Sequence, residues 1–290
     1  DADDKACYYY IDHPAERVRY IYLDTTDSDT GANNSMMPQI TAVQFEWIVS
    51  QAIMTTPSDY NIVIVSHQYL QRYLGTNYSY SNYPRFSDMR KVLAAVQSKE
   101  SVTVGGVTYD FTTFSPNILC HISGHVHRDN AVYMGGFWSF TTAGNYKSGE
   151  LPQSPLYQKW PFGTYYPYNG EGTIYENIVD VVCVSTEEVN DIRVGAGFDR
   201  IFRQQAENVN VGNTITITTT LDADDVEWWC YDSNDASNEE ATSGAITLTN
   251  AYATINADGV LTGIAAGYVT VVAYSKALKR CEYIGVKVNA

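Results

Sequence analysis

Three of the five histidines in this 290-residue chain stand directly behind short apolar runs. His67 follows Asn61–Val65 (NIVIV) and Ser66. His125 and His127 follow Asn117–Ile122 (NILCHI) in the segment Ser123-Gly124-His125-Val126-His127. Short β-branched and apolar runs read as strands buried on both faces, and ligands in α/β sheets bind beyond the C-terminal strand ends. In an extended Gly-His-x-His segment both imidazoles project to one side of the chain, and Gly124 allows a sharp backbone turn. Neutral imidazole is a common ligand for divalent transition metals. Two adjacent ions would suit a phosphoester, because they clamp its oxygens and generate hydroxide. One histidine at a strand end is more often a hydrogen-bonded structural residue. The weight therefore lies on the joint pattern, in which both segments read apolar strand, small residue, histidine. The other two histidines read as structural: His13 as a turn residue beside Pro14, and His121 as a strand residue on the side opposite Ile122.

The elements that must position these residues follow from local pattern. Residues 8–24 read as two strands around a turn at His13–Pro14, and 25–38 as polar loop. A helix over about 41–54 has Thr41 as N-cap and Gln44 at the spacing of a capping box. Phe45, Ile48, Val49, Ala52 and Ile53 form its apolar face. A second helix over about 87–99 turns Met89, Val92, Leu93 and Val96 inward. Val102–Phe111 reads as a hairpin about Gly105–Gly106, and 131–143 as one turning at Gly135–Gly136. Tyrosine-rich loops are expected over 69–84 and 145–172, with strands near 174–185 and 189–194. From about 204–210 the chain loses His and Pro and becomes rich in Thr, Val, Ala and Gly. Short strands at 214–220, 226–231, 245–248, 253–255, 269–274 and 283–288, separated by turn signals, suggest a sandwich.

Composition narrows the function classes. Hydrophobic residues are 44%, charged residues 18%, and tyrosines number 24, which indicates an ordered β-rich protein rather than a disordered one. The net charge of −15 argues against a nucleic-acid backbone as partner. No apolar run reaches the roughly 18 residues of a membrane span. The five cysteines include no Cys-x-x-Cys pair, which sets aside cysteine-based zinc. Cys230 and Cys281 share the last region and are candidates for one disulfide. The first residue is Asp and no secretory apolar stretch follows, so the chain reads as a processed product or an excised part of a longer one.

The stretch NILCHISGHVHRDN resembles the closing Gly-His-x-His motif of calcineurin-like metallophosphoesterases. NIVIVSHQYL resembles the family's preceding motif, in which a strand delivers one metal-binding histidine. YIYLDTTD, the helix carrying Phe45–Glu46–Trp47, and residues 177–200 are similar to further family segments, most of all in the phage-tail, prophage and bacterial-surface subgroup. The resemblance covers 1–203. It implies an α/β fold, an αββα sandwich whose N-terminal part is missing, and two divalent metals (Zn, Fe, Mn or Ni). His67 and His125 would bind the second metal and His127 the first, with Asp24, Ser66 and Asp129 as supporting candidates. The family's Asp-x-His, Gly-Asp and Gly-Asn-His motifs, which supply the other ligands and the catalytic histidine, have no counterpart. This chain alone is therefore expected to be inactive, with a missing segment completing the site.

The stretch INADGVLTGIAAGYVTVVAYS resembles the hallmark of bacterial group 2 immunoglobulin-like domains. That likeness covers 208–290 and implies an all-β sandwich acting as spacer or adhesion module. Trp228 and Trp229 then read as one core and one surface residue, not as a sugar platform. Together the resemblances imply a metal-dependent phosphoesterase on an extracellular, cell-surface or phage-virion protein. Its partners would be a phosphorylated substrate, for example a cell-wall polymer, and other virion or surface proteins. The alternative is a catalytically incomplete structural or receptor-binding protein that uses the fold as a scaffold, its tyrosine-rich loops making contacts.

Overall fold

Apolar, β-branched runs fold here into strands whose polar neighbours mark the turns. The computed structural model describes residues 7–26, 39–70, 74–75, 78–79, 85–124, 129–142, 178–195, 197–222, 224–232 and 251–290. A first sheet contains β1 (Tyr9–His13), β2 (Val18–Leu23), β3 (Asn61–Ser66), β4 (Ile118–Ser123), β5 (Asn130–Tyr133) and β6 (Trp138–Thr141), in the order β1-β2-β3-β4-β6-β5. β2, β3, β4 and β6 run parallel, and the hairpins β1–β2 and β6–β5 are antiparallel. A hairpin of Ser101–Val104 with Val107–Asp110 turns at Gly105 and Gly106, whose φ of 59° and 82° are the left-handed values that glycine adopts freely.

One face of this sheet is covered by helix. In α1 (Ala42–Trp47) the Thr41 hydroxyl accepts the Gln44 amide at 3.2 Å, as an N-cap does. Gln44 does not close the expected capping box. Its side chain instead brackets the peptide of Asp24, accepting the Asp24 N–H at 2.9 Å and donating to its carbonyl at 2.7 Å. The helix continues as a π-helical turn over Ile48–Ile53. α2 (Phe86–Ser98) buries Phe86, Met89, Val92, Leu93 and Val96 against Ile21, Ile62, Ile64 and Ile118 of the sheet. Among the described residues no helix is long and apolar enough to cross a membrane.

The opposite face packs on a second sheet. Its strands are β7 (Val179–Val184), β8 (Glu188–Val194), β9 (Asp199–Arg203), β10 (Glu207–Asn210), β11 (Glu227–Asp232), β12 (Gly267–Ser275) and β13 (Arg280–Asn289). The order is β7-β8-β9-β13-β12-β11, with β10 also along β13. β13 receives β9 and β10 in parallel on one side and β12 antiparallel on the other. Alternation lets β12 and β13 serve two cores at once. Val272, Tyr274, Cys281 and Tyr283 face the first sheet. Val269, Val271, Ile284 and Val286 face a three-stranded sheet of Thr214–Thr216, Ala253–Ile255 and Val260–Gly263. Trp228 and Trp229 are both half-buried and pack into these two different cores.

This architecture corrects the expected α/β sandwich. Strand accounts for 48% and helix for 13%, and both described helices lie on one face of the first sheet. An αββα sandwich needs a second helical layer outside the second sheet. Instead Val179, Val181, Ile192 and Val194 of β7 and β8 are exposed there, and strands β11–β13 extend the same sheet. The candidate Cys230–Cys281 disulfide is not formed, since strand β12 lies between the strands that carry the two residues. The predicted strand at 245–248 lies outside the described residues.

Candidate functional site

Because β2, β3, β4 and β6 are parallel, their C-terminal ends share one edge of the first sheet. Asp24, His67, Gly124 and Thr142 leave that edge in turn. The chain ends are laced by backbone bonds. The Gly124 N–H donates to the His67 carbonyl at 3.0 Å, and the Thr142 N–H to the Ser123 carbonyl at 2.9 Å. His67 is exposed, whereas Ser66 and Gln68 on either side are buried. Gly124 does not need glycine's freedom. Its φ is not in the left-handed region, and an added Cβ would meet only the His67 carbonyl, at 3.9 Å.

A chain of side-chain hydrogen bonds holds the turn that carries His67. The Gln68 N–H donates to the Thr25 hydroxyl at 3.1 Å, and the Ser66 hydroxyl donates to the Gln68 carbonyl. Ser66 also lies 2.8 Å from Nε2 of His121, whose Nδ1 lies 2.7 Å from the Ser139 hydroxyl. Burial of His121 pushes its pKa down to about 3, so the ring is neutral. The pH dependence follows. Below its ordinary value of 6.5 the unfolded chain takes up a proton that the folded one refuses, down to about pH 3. Stability is therefore complete above pH 6.5 and falls as the pH drops through that window. At about 1.4 kcal/mol per pH unit, on the order of 2 kcal/mol should be lost between pH 6.5 and pH 5. Urea unfolding at both pH values checks this, and His121→Gln should remove the difference.

The three supporting candidates have distinct surroundings. The Asp24 carboxylate accepts the Thr26 amide at 2.9 Å and its hydroxyl at 2.8 Å, which orients it at the strand end. Ser66 belongs to the buried chain just described. Asp129 is buried between the sheets and engaged by Arg193 at 2.7 Å and Arg200 at 3.4 Å. Asp180 and Asp191 join it, as the direct register partners of Arg193 and Arg200. Three carboxylates face two guanidiniums, so one negative charge is in excess. Burial accordingly raises the Asp191 pKa even though Arg200 lies 2.5 Å away. Asp129 thus serves an interlayer ion cluster rather than presenting a carboxylate to solvent. Sequence reading missed Thr25, Gln68, Arg193 and Arg200. The signal was there in β7, where Asp180 alternates in step with inward-facing Val182 and Val184.

His67 and Asp24 are the described donors at this edge. His125 and His127 lie outside the described residues. Among the described residues no group of three or more His, Cys, Asp and Glu side chains converges as a metal cage. A divalent ion at this edge would need ligands beyond His67 and Asp24. The Gly-His-x-His segment starts at the residue bonded to the His67 peptide. No protein-family model matches this chain, and no curated protein matches it.

Proposed function

We propose that the chain supplies histidine ligands to a divalent-metal site for phosphoester hydrolysis, on a protein of a cell surface or virion. The carrying observation is the 3.0 Å bond from the Gly124 N–H to the His67 carbonyl, which sets the starts of the two histidine segments side by side at adjacent parallel strand ends. His67, His125 and His127 are the proposed ligands, with Asp24 as the nearby carboxylate. A divalent metal supplies Lewis acidity towards a phosphoryl oxygen and makes hydroxide available at neutral pH. The substrate class to try is a phosphorylated polymer of the cell wall, with nitrophenyl phosphates as reporters.

Isothermal titration of the protein with Mn²⁺ and Zn²⁺ tests the reading. Binding is expected in the wild type, and His67→Ala or His127→Ala should weaken it by about tenfold or more. His13→Ala should leave it unchanged, since His13 sits at the far end of the first hairpin against Tyr20. Absence of metal binding in the wild type would sink the proposal. Metal bound without turnover of p-nitrophenyl phosphate or its diester would support the ligand roles of the three histidines, which make up only part of a two-metal site.

A further inference from the structure

We infer that His121 is a positioning residue, holding His67 in place through Ser66. The proposal rests on the reading of His67 as a metal ligand. The hydrogen-bond directions are determined by counting protons. Ser66 has one hydroxyl proton, and it goes to the Gln68 carbonyl, which can only accept. The Ser66 oxygen must then accept from His121, so the His121 proton sits on Nε2. A neutral imidazole has a single N–H, so Nδ1 accepts, and Ser139 is its donor.

The result is a directed chain from β6 through β4 to the end of β3: Ser139 to His121, His121 to Ser66, Ser66 to the Gln68 carbonyl. All three side chains are buried, His121 and Ser139 completely. Two further bonds fix the same turn from its flanks, Gln68 N–H to Thr25 and Gly124 N–H to the His67 carbonyl. His67 is the exposed residue at the centre of this set. Its backbone is therefore held on both sides while its side chain faces outward, the arrangement that a preorganised ligand requires. Any buried imidazole needs a partner at each nitrogen, so the choice of partners carries the argument. Here Ser139 meets Nδ1, while the Nε2 bond goes to the Ser66 hydroxyl that holds the Gln68 carbonyl beside His67.

The experiment uses His121→Phe, which keeps a ring and removes both bonds, His121→Gln, which restores an N–H donor, and Ser66→Ala, which cuts the chain with little change of volume. Two readouts are taken on the intact protein: amide hydrogen exchange at Gln68, and the dissociation constants for Mn²⁺ and Zn²⁺. His121→Phe and Ser66→Ala should speed exchange at Gln68 while α2 stays protected, and should weaken metal binding by about tenfold. His121→Gln should recover most of both. Unchanged exchange and unchanged affinity in the two disruptive variants, with only the melting temperature lowered, would overturn the inference. Faster exchange at Gln68 in a protein whose wild type binds no metal would support the hold on the turn and overturn the ligand reading instead.

Discussion

Replacing Arg200 with methionine should destabilise the fold by about 3–5 kcal/mol at pH 7, because it strands a buried carboxylate. Arg200 donates to Asp191 at 2.7 Å and to the Thr141 carbonyl at 3.0 Å, with Asp129 at 3.4 Å. Its guanidinium also lies over the rings of Phe140 and Phe202, at 5.3 and 5.5 Å. Burial works against the Arg200 charge, but Asp129 and Asp191 outweigh it and raise its pKa. Methionine can fill the volume between the two rings but cannot answer the carboxylates. Asp191 is completely buried, so without Arg200 it must hold a proton that the unfolded chain releases above 3.8. The deficit should therefore grow as the pH rises, and be smaller at pH 5 than at pH 7. Urea unfolding of Arg200→Met at both pH values measures it, and Arg200→Met combined with Asp191→Asn should regain much of the loss. Equal stability of wild type and Arg200→Met at pH 7 would show that the ion cluster contributes little. The cluster also ties the second sheet to β6 and to Asp129, so these contacts reach both halves of the chain.

Trp138→Ala is expected to cost about 3–5 kcal/mol by a different route, the loss of a large ring from a closed core. Trp138 is a completely buried residue of β6 and packs against Tyr133 at 5.1 Å, Phe202 at 5.4 Å and Tyr283 at 6.0 Å. Phe202 and Tyr283 belong to β9 and β13, so the indole joins the first sheet to the second. Its Nε1–H donates to the Arg203 carbonyl at 2.7 Å. Trp138→Phe separates packing from hydrogen bonding, since it keeps most of the ring and leaves that carbonyl without this donor. It should cost about 1–3 kcal/mol. Circular dichroism during urea unfolding reads both variants. A loss below 1 kcal/mol for the alanine variant would mean that the two sheets do not depend on this ring.

Much of the local structure was legible because each strand and helix carries its own pattern. The run NIVIVS is β3, ILCHIS is β4, and the face Met89, Val92, Leu93, Val96 is the buried side of α2. The order strand, small residue, histidine placed His67 at a strand end, where it lies. Gln44 was misread because a capping box and a bracket on the Asp24 peptide use the same glutamine at the same spacing. Arg193, Arg200 and Asp191 were passed over because charged residues in a strand ordinarily face water. Their burial and their register partners show that these three face inward.

What the sequence determined by itself is many of the strands, the two helical segments and the place of His67 at a strand end, since burial of alternating or continuous apolar residues is a local property of the chain. What tertiary structure alone decided is which strands become neighbours. β9 pairs with β13 across more than seventy intervening residues, and that pairing places strands from both ends of the second half in one sheet. A strand's pattern states which face it buries but not whose edge completes its hydrogen bonds, because every backbone edge presents the same donors and acceptors. The count of sheets, the single helical layer and the partners of His121 and Asp129 all follow from that choice of neighbours.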